Sequence, residues 1–242
     1  MSSIQTKICG ITNARDAKAC AELGAHLIGF NFYPQSPRYI EPKAARRIVE
    51  ALPARVCAVG VFVDASTREI RSVAELTGIR SVQLHGDTSP ETCSELAREF
   101  RVIRAFSTDT QFQSKSTAAF PDCDVLIDAH HPDLRGGTGQ TCDWQSARAT
   151  LRFTRFLILS GGLNAQNVGR AIETVAPHAV DVCSGVESAP GVKDHRAIKD
   201  FVGAVRAAER STPATLTYEP SSDVILSEAK NLRFSSERDS ST

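Results

Sequence analysis

Eight short apolar runs, each followed by a longer stretch with helical spacing, leave this chain few folds to adopt. The runs are Ile4–Cys9, His26–Phe32, Arg55–Phe62, Ser81–Leu84, Val102–Phe106, Asp124–Asp128, Phe156–Leu159 and Val180–Ser184. Each is nearly continuous in aliphatic residues, as expected of a parallel strand covered on both faces. Between and after them lie Ala14–Leu23, Pro42–Leu52, Ser66–Leu76, Pro90–Phe100, Gln111–Ala119, Asp143–Leu151, Ala165–Val175 and His195–Ala208. In these, Ala, Leu and Val recur at helical intervals. Such alternation builds right-handed βαβ crossovers, and eight units point to a closed (β/α)8 barrel, an α/β fold. An open doubly wound sheet is the competing architecture. It normally carries G-x-G-x-x-G after its first strand, and here the glycine-rich stretches come late.

The 242 residues suit one barrel. Residues 1–208 hold all eight units as a single catalytic domain. Residues 209–242 are rich in serine, continue no βα unit and read as a low-complexity, disordered extension. With 28 basic against 28 acidic side chains the chain shows no nucleic-acid footprint, so any attraction to phosphate must be local. No apolar run approaches the ~20 residues that span a bilayer, and the N-terminus lacks the pattern of a signal peptide. A cytoplasmic protein without a membrane partner is expected. The seven cysteines are scattered and never form C-x-x-C, which argues against a disulfide framework or a zinc site. His130 and His131 stand side by side on an extended segment, where neighbouring side chains point apart, so no metal is expected.

In a barrel of this kind chemistry gathers where the strands end at their carboxyl termini. The first strand ends in Cys9-Gly10, the fourth reaches His85-Gly86, and the sixth closes on Asp128, followed by a loop containing Arg135–Gly139. The seventh ends in LSGGLNAQNV and the eighth in VCSGVES. Either glycine turn alone reads as an ordinary turn. Two at adjacent strand ends make Gly161, Gly162, Ser184 and Gly185 the candidates for phosphate, since glycine lets backbone approach a ligand and a helix N-terminus favours an anion.

The stretches KICGIT, GAHLIGFNFYPQSPRYI, VGVFVD, VQLHG, LIDAHHPDLRGGTGQTCDW, LILSGGLNAQNV and DVCSGVESAPGVKDHRAIKDF, in this order from Lys7 to about Val205, resemble the phosphoribosylanthranilate isomerase family of tryptophan biosynthesis. The resemblance implies an intramolecular oxidoreductase, an aldose–ketose isomerase acting by Amadori rearrangement on a small phosphosugar, N-(5-phosphoribosyl)anthranilate. It implies no cofactor, and both monomers and homodimers are known in the family. Cys9 matches the family's catalytic cysteine and becomes the candidate base, and Asp128 matches its acid. Asp128 must begin protonated to donate, although a solvated aspartate titrates near ~3.9. Cys9 must be thiolate, although a free thiol titrates near ~8.5. Lys7, two residues before Cys9 on the same strand face, could favour that thiolate.

Arg38, in a loop stiffened by Pro34 and Pro37, is the candidate partner for the anthranilate carboxylate through two parallel hydrogen bonds. His85 is read as pocket lining, with a purely structural histidine an equal alternative. Two other classes compete. A lyase of the indole-glycerol-phosphate synthase type should place lysine on an early strand with glutamates at other strand ends. A non-catalytic phosphosugar-binding barrel should lack the acid–base pair.

Overall fold

The computed structural model describes residues 4–108, 112–128 and 144–211. Eight parallel strands close into a barrel in chain order: β1 (Gln5–Ile8), β2 (Leu27–Asn31), β3 (Cys57–Val63), β4 (Ser81–His85), β5 (Arg101–Ser107), β6 (Asp124–Asp128), β7 (Leu157–Ser160) and β8 (Ala179–Val182). The first and last strands pair directly, Lys7 beside Asp181 and Ile8 beside Val182, which leaves the barrel without an edge. The helices are α1 (Ala14–Leu23), α2 (Pro42–Ala51), α3 (Thr67–Thr77), α4 (Pro90–Leu96), α5 (Trp144–Thr150), α6 (Val168–Val175) and α7 (His195–Ser211). Among the described residues no helix is long and apolar enough to cross a membrane.

Local chemistry sets these boundaries. Asn13, Ser66 and Ser89 each accept a hydrogen bond from a first-turn N–H of the helix that follows, and Pro42 and Pro90 stand where a missing N–H is harmless. Asp16 of α1 accepts from the Lys193 N–H at 2.9 Å and pairs with His195 at 2.7 Å, which docks the last helix beside the first. Period-two alternation turns Leu27, Val59, Ile103, Leu126, Ile158 and Ala179 into the barrel lumen, while the larger core lies between strands and helices.

Two elements differ from the sequence expectation. The fifth helix is a 3-10 segment, Ser114–Ala119. There Ser116 Oγ and Thr117 Oγ1 donate to carbonyls three residues back, Gln113 and Ser114, at 2.7 Å each, competing with the regular helical ladder. After β8 an antiparallel ribbon, β9 (Glu187–Ala189) with β10 (Val192–Lys193), was not foreseen, its strands being too short to show alternation. Helix α7 also continues three residues past the boundary expected at 208. His130, His131, the Arg135–Gly139 loop and the chain beyond Ser211 lie outside the described residues.

Candidate active site

The residue spacing that fills the lumen also carries polar groups to its mouth. Asp128 is two residues beyond the lumen-facing Leu126, with Ser107 and Ser160 as its register neighbours. Cys9 is two residues beyond Lys7, and its N–H donates to the Val182 carbonyl at 2.9 Å. Gly29 makes room for it, because a Cβ there would lie 2.7 Å from the Cys9 sulfur. The thiol and the carboxyl thus share one rim, on β1 and β6.

A polar chain runs along that rim. Lys7, with no exposed surface, donates to Asp181 Oδ1 at 2.9 Å, and Ser160 Oγ donates to Asp181 Oδ2 at 3.2 Å. Burial works against the Lys7 charge, but Asp181 and then Cys9 outweigh it and hold the ammonium above its ordinary range. Cys9 is pulled down to about 6. The first cause is a hydrogen bond from the Cys183 thiol; burial opposes it, and Lys7 and Lys193 add to the lowering. Lys7 therefore does favour the thiolate, but as the smaller contributor. Cys183, which sequence reasoning passed over, is the larger, and its own thiol is pushed up by the same hydrogen bond.

Arg38 lies over the end of β1. A Cβ on Gly10, whose φ is +75°, would stand 2.7 Å from Arg38 Cδ and 3.0 Å from Cys183 Sγ. The guanidinium is held by Glu187: Nε to the two carboxylate oxygens at 3.0 and 3.1 Å, and Nη2 to Oε2 at 2.7 Å. Lys193 Nζ, fully buried, donates to Glu187 Oε1 at 2.8 Å and to the Cys183 carbonyl at 3.1 Å. Burial raises the Glu187 carboxyl, but Arg38 and Lys193 outweigh that and keep it below the usual range. The Nε–Nη2 edge of Arg38 is thus taken, which amends the expectation of two parallel bonds to substrate. Nη1 makes no hydrogen bond among the described residues, which leaves the outer Nη1–Nη2 edge for a further contact.

His85 ends β4 half-buried, its Nε2 2.7 Å from Gln83 Nε2. Burial first, then Lys7, drop its pKa to about 4, so the ring is neutral near pH 7. The two glycine turns touch: a Cβ at Gly185 would lie 2.0 Å from the Leu163 carbonyl oxygen. Gly161 and Gly162 both adopt positive φ, +95° and +61°, and Asn167 Nδ2 clamps the turn through the Gly162 carbonyl at 2.9 Å. Ser184 and Gly185 open a short 3-10 segment, Ser184–Val186, whose first N–H groups have no partner within it.

Asp181, Cys183, Glu187 and Lys193 were not singled out from sequence. Asp181 carried a signal, a charge inside an otherwise apolar strand that needs an opposite charge in the lumen. The others offered none without knowing that β8 returns beside β1.

Comparison with known proteins shows the family. Residues 6–204 match the family profile described as N-(5'phosphoribosyl)anthranilate (PRA) isomerase. The N-(5'-phosphoribosyl)anthranilate isomerase of Thermotoga maritima is 44% identical over 199 residues, covering 82% of this chain and 97% of the relative. A crystal structure of phosphoribosyl anthranilate isomerase from Thermotoga maritima superposes with a TM-score of 0.79 at 43% identity, over 84% of this chain and 99% of that one. Another crystal structure of such an isomerase holds reduced 1-(o-carboxyphenylamino)-1-deoxyribulose 5-phosphate, and it superposes with a TM-score of 0.76 at 41% identity, with the same coverage. On these matches, the chain belongs to the N-(5'-phosphoribosyl)anthranilate isomerase family.

Proposed function

We propose that this chain converts N-(5-phosphoribosyl)anthranilate to 1-(2-carboxyphenylamino)-1-deoxyribulose 5-phosphate in tryptophan biosynthesis, with Asp128 as acid and Cys9 as base. Asp128 donates its proton to the ribose ring oxygen as the C1–O bond breaks, leaving an imine to the anthranilate nitrogen. Cys9, as thiolate, removes the proton from the adjacent C2, and the resulting enolamine tautomerises to the ketone. The Gly161–Gly162 turn and Ser184–Gly185 hold the phosphate, and the outer edge of Arg38 meets the anthranilate carboxylate. His85, neutral, lines the pocket.

The observation that carries this reading is the thiol of Cys9, lumen-facing on the same rim as Asp128 and held low by Cys183 and Lys7. The direct test follows anthranilate-type fluorescence as purified protein meets freshly generated phosphoribosylanthranilate. Rapid loss with formation of the ketose is expected; decay no faster than the uncatalysed background would refute the assignment.

The lowered thiol also predicts the acid limb. Deprotonated Cys9 is the working form, so kcat/KM should hold steady as pH falls from 8 and drop only through about 6. A limb centred near ~8.5, the value of an unperturbed thiol, would remove Cys183 and Lys7 from the explanation. For Arg38, Glu187→Gln deletes the charge that fixes its inner edge and leaves two neighbouring cations unneutralised. Loss of a charge-assisted contact of about 1.5 kcal/mol should raise KM by ~10-fold with a smaller effect on kcat. Steady-state kinetics in which kcat alone changes would place Glu187 elsewhere in the reaction.

A further inference from the structure

We infer that Cys9 and Cys183 form a peroxide-reactive dithiol site, in which a hydroperoxide oxidises the pair to a disulfide across the seam where the barrel closes. Three features support it. The β1–β8 ladder pairs Lys7 with Asp181 and Ile8 with Val182, and the Cys9 N–H continues it to the Val182 carbonyl at 2.9 Å, so the two cysteines occupy the next matched positions. Neighbouring paired strands lie about 4.8 Å apart, within the roughly 4.4–6.8 Å between Cα atoms that a disulfide spans. Both side chains stand two residues beyond an ion-paired couple inside the lumen, which puts their sulfurs on one face.

Access and charge separate this pair from the other thiols. Among the described cysteines only Cys9, Cys57 and Cys183 are partly exposed, and Cys57 sits alone beside Ser81, its sulfur 3.1 Å from the hydroxyl. Lys193 Nζ stands 3.9 Å from Cys183 Sγ, whose thiol donates to Glu187 Oε1 at 3.9 Å, and Cys183 together with Lys7 and Lys193 favours Cys9 as the nucleophilic thiolate. Cys93 and Cys123 also neighbour one another, but both are buried away from the mouth.

The chemistry balances. The Cys9 thiolate attacks the outer oxygen of the hydroperoxide; the O–O bond breaks and alkoxide, or hydroxide from hydrogen peroxide, leaves and takes up a proton. Cys9 is now a sulfenic acid. The Cys183 sulfur attacks the Cys9 sulfur, the S–S bond forms, the S–O bond breaks, and hydroxide departs as water with the Cys183 proton. Two thiols give up two electrons, and the peroxide becomes an alcohol and water. A thiol reductant restores the pair. Without Cys183 the sulfenic acid has no neighbour to capture it and proceeds to irreversible acids.

The test treats the full chain with a small excess of hydrogen peroxide, blocks remaining thiols with iodoacetamide and maps unreduced tryptic peptides by mass spectrometry. The expected product joins Ile8–Arg15 to Ala171–Lys193, each carrying one cysteine. Activity, relative to the same protein untreated, should fall by ~10-fold or more and return with dithiothreitol. Cys183→Ser should fall as far, stay down after dithiothreitol and show sulfinic or sulfonic acid at Cys9. Finding both cysteines alkylated, a disulfide only between Cys93 and Cys123, or equal recovery in Cys183→Ser would overturn the proposal. The activity readout rests on Cys9 being the base; the peptide map does not. A crosslink without loss of turnover would thus sink the catalytic reading and leave the dithiol standing.

Discussion

With Cys9 replaced by alanine, turnover is expected to fall by ~10²–10⁴ while substrate still binds, the range lost when a positioned proton-transfer group is removed. Cys9→Ser should fall nearly as far, since a hydroxyl in the same place remains protonated near pH 7 and cannot take the C2 proton. Asp128→Asn should show a loss on the same scale, because the amide keeps the size of the carboxyl but cannot protonate a departing ring oxygen. Binding of a reduced product analogue should persist in all three, since Arg38 and the glycine turns proposed to hold the phosphate are on other elements. If either single change leaves kcat within a few-fold of the parent under saturating substrate, the corresponding role belongs to another group.

The second large effect concerns stability. Lys7→Met should lower the unfolding free energy by about 3–5 kcal/mol, because it strands the Asp181 carboxylate, 4% exposed, in the lumen without its cation. Asp181→Leu should be as damaging for the mirror reason. The combined variant, Lys7→Met with Asp181→Leu, should recover most of the loss, since an apolar pair of similar volume asks for no desolvation of charge. It should remain a slower enzyme, with its acid limb moved to higher pH, because Lys7 no longer favours the Cys9 thiolate. Chemical denaturation at constant m-value measures the first part. Single variants within about 1 kcal/mol of the parent would mean that water reaches the pair and that its burial is not what the fold depends on.

Much of the architecture could be read from the chain because its information is local. Apolar runs and helical periodicity are set within a few residues, and the barrel follows from counting them. The placement of Cys9 and Asp128 was legible for the same reason: Cys9 follows directly on β1 and Asp128 ends β6, and period two carries the lumen face outward to them. The ion pairs were not legible. Lys7 meets Asp181 and Arg38 meets Glu187 only after the eighth strand returns to the first, a relation that no nearby residue encodes. The Glu187–Lys193 ribbon failed to announce itself because strands of three and two residues are too short to show alternation, and its pairing of Lys193 with Glu187 is visible only in the fold. The 3-10 segment at Ser114–Ala119 was mistaken for a full helix because its spacing is right and its serine and threonine side chains, which compete for the backbone, carry no weight in an apolar pattern.

The closure of β8 onto β1 also orders events during synthesis. Cys9 leaves the ribosome well before Asp181, Cys183, Glu187 and Lys193, which belong to the closing end of the barrel. At typical elongation rates of roughly 5–20 residues per second, about 10–35 s separate the two ends. Throughout that interval Cys9 lacks the neighbouring Cys183 and Lys193, so the surroundings that lower its pKa are complete only when the final stave locks into place.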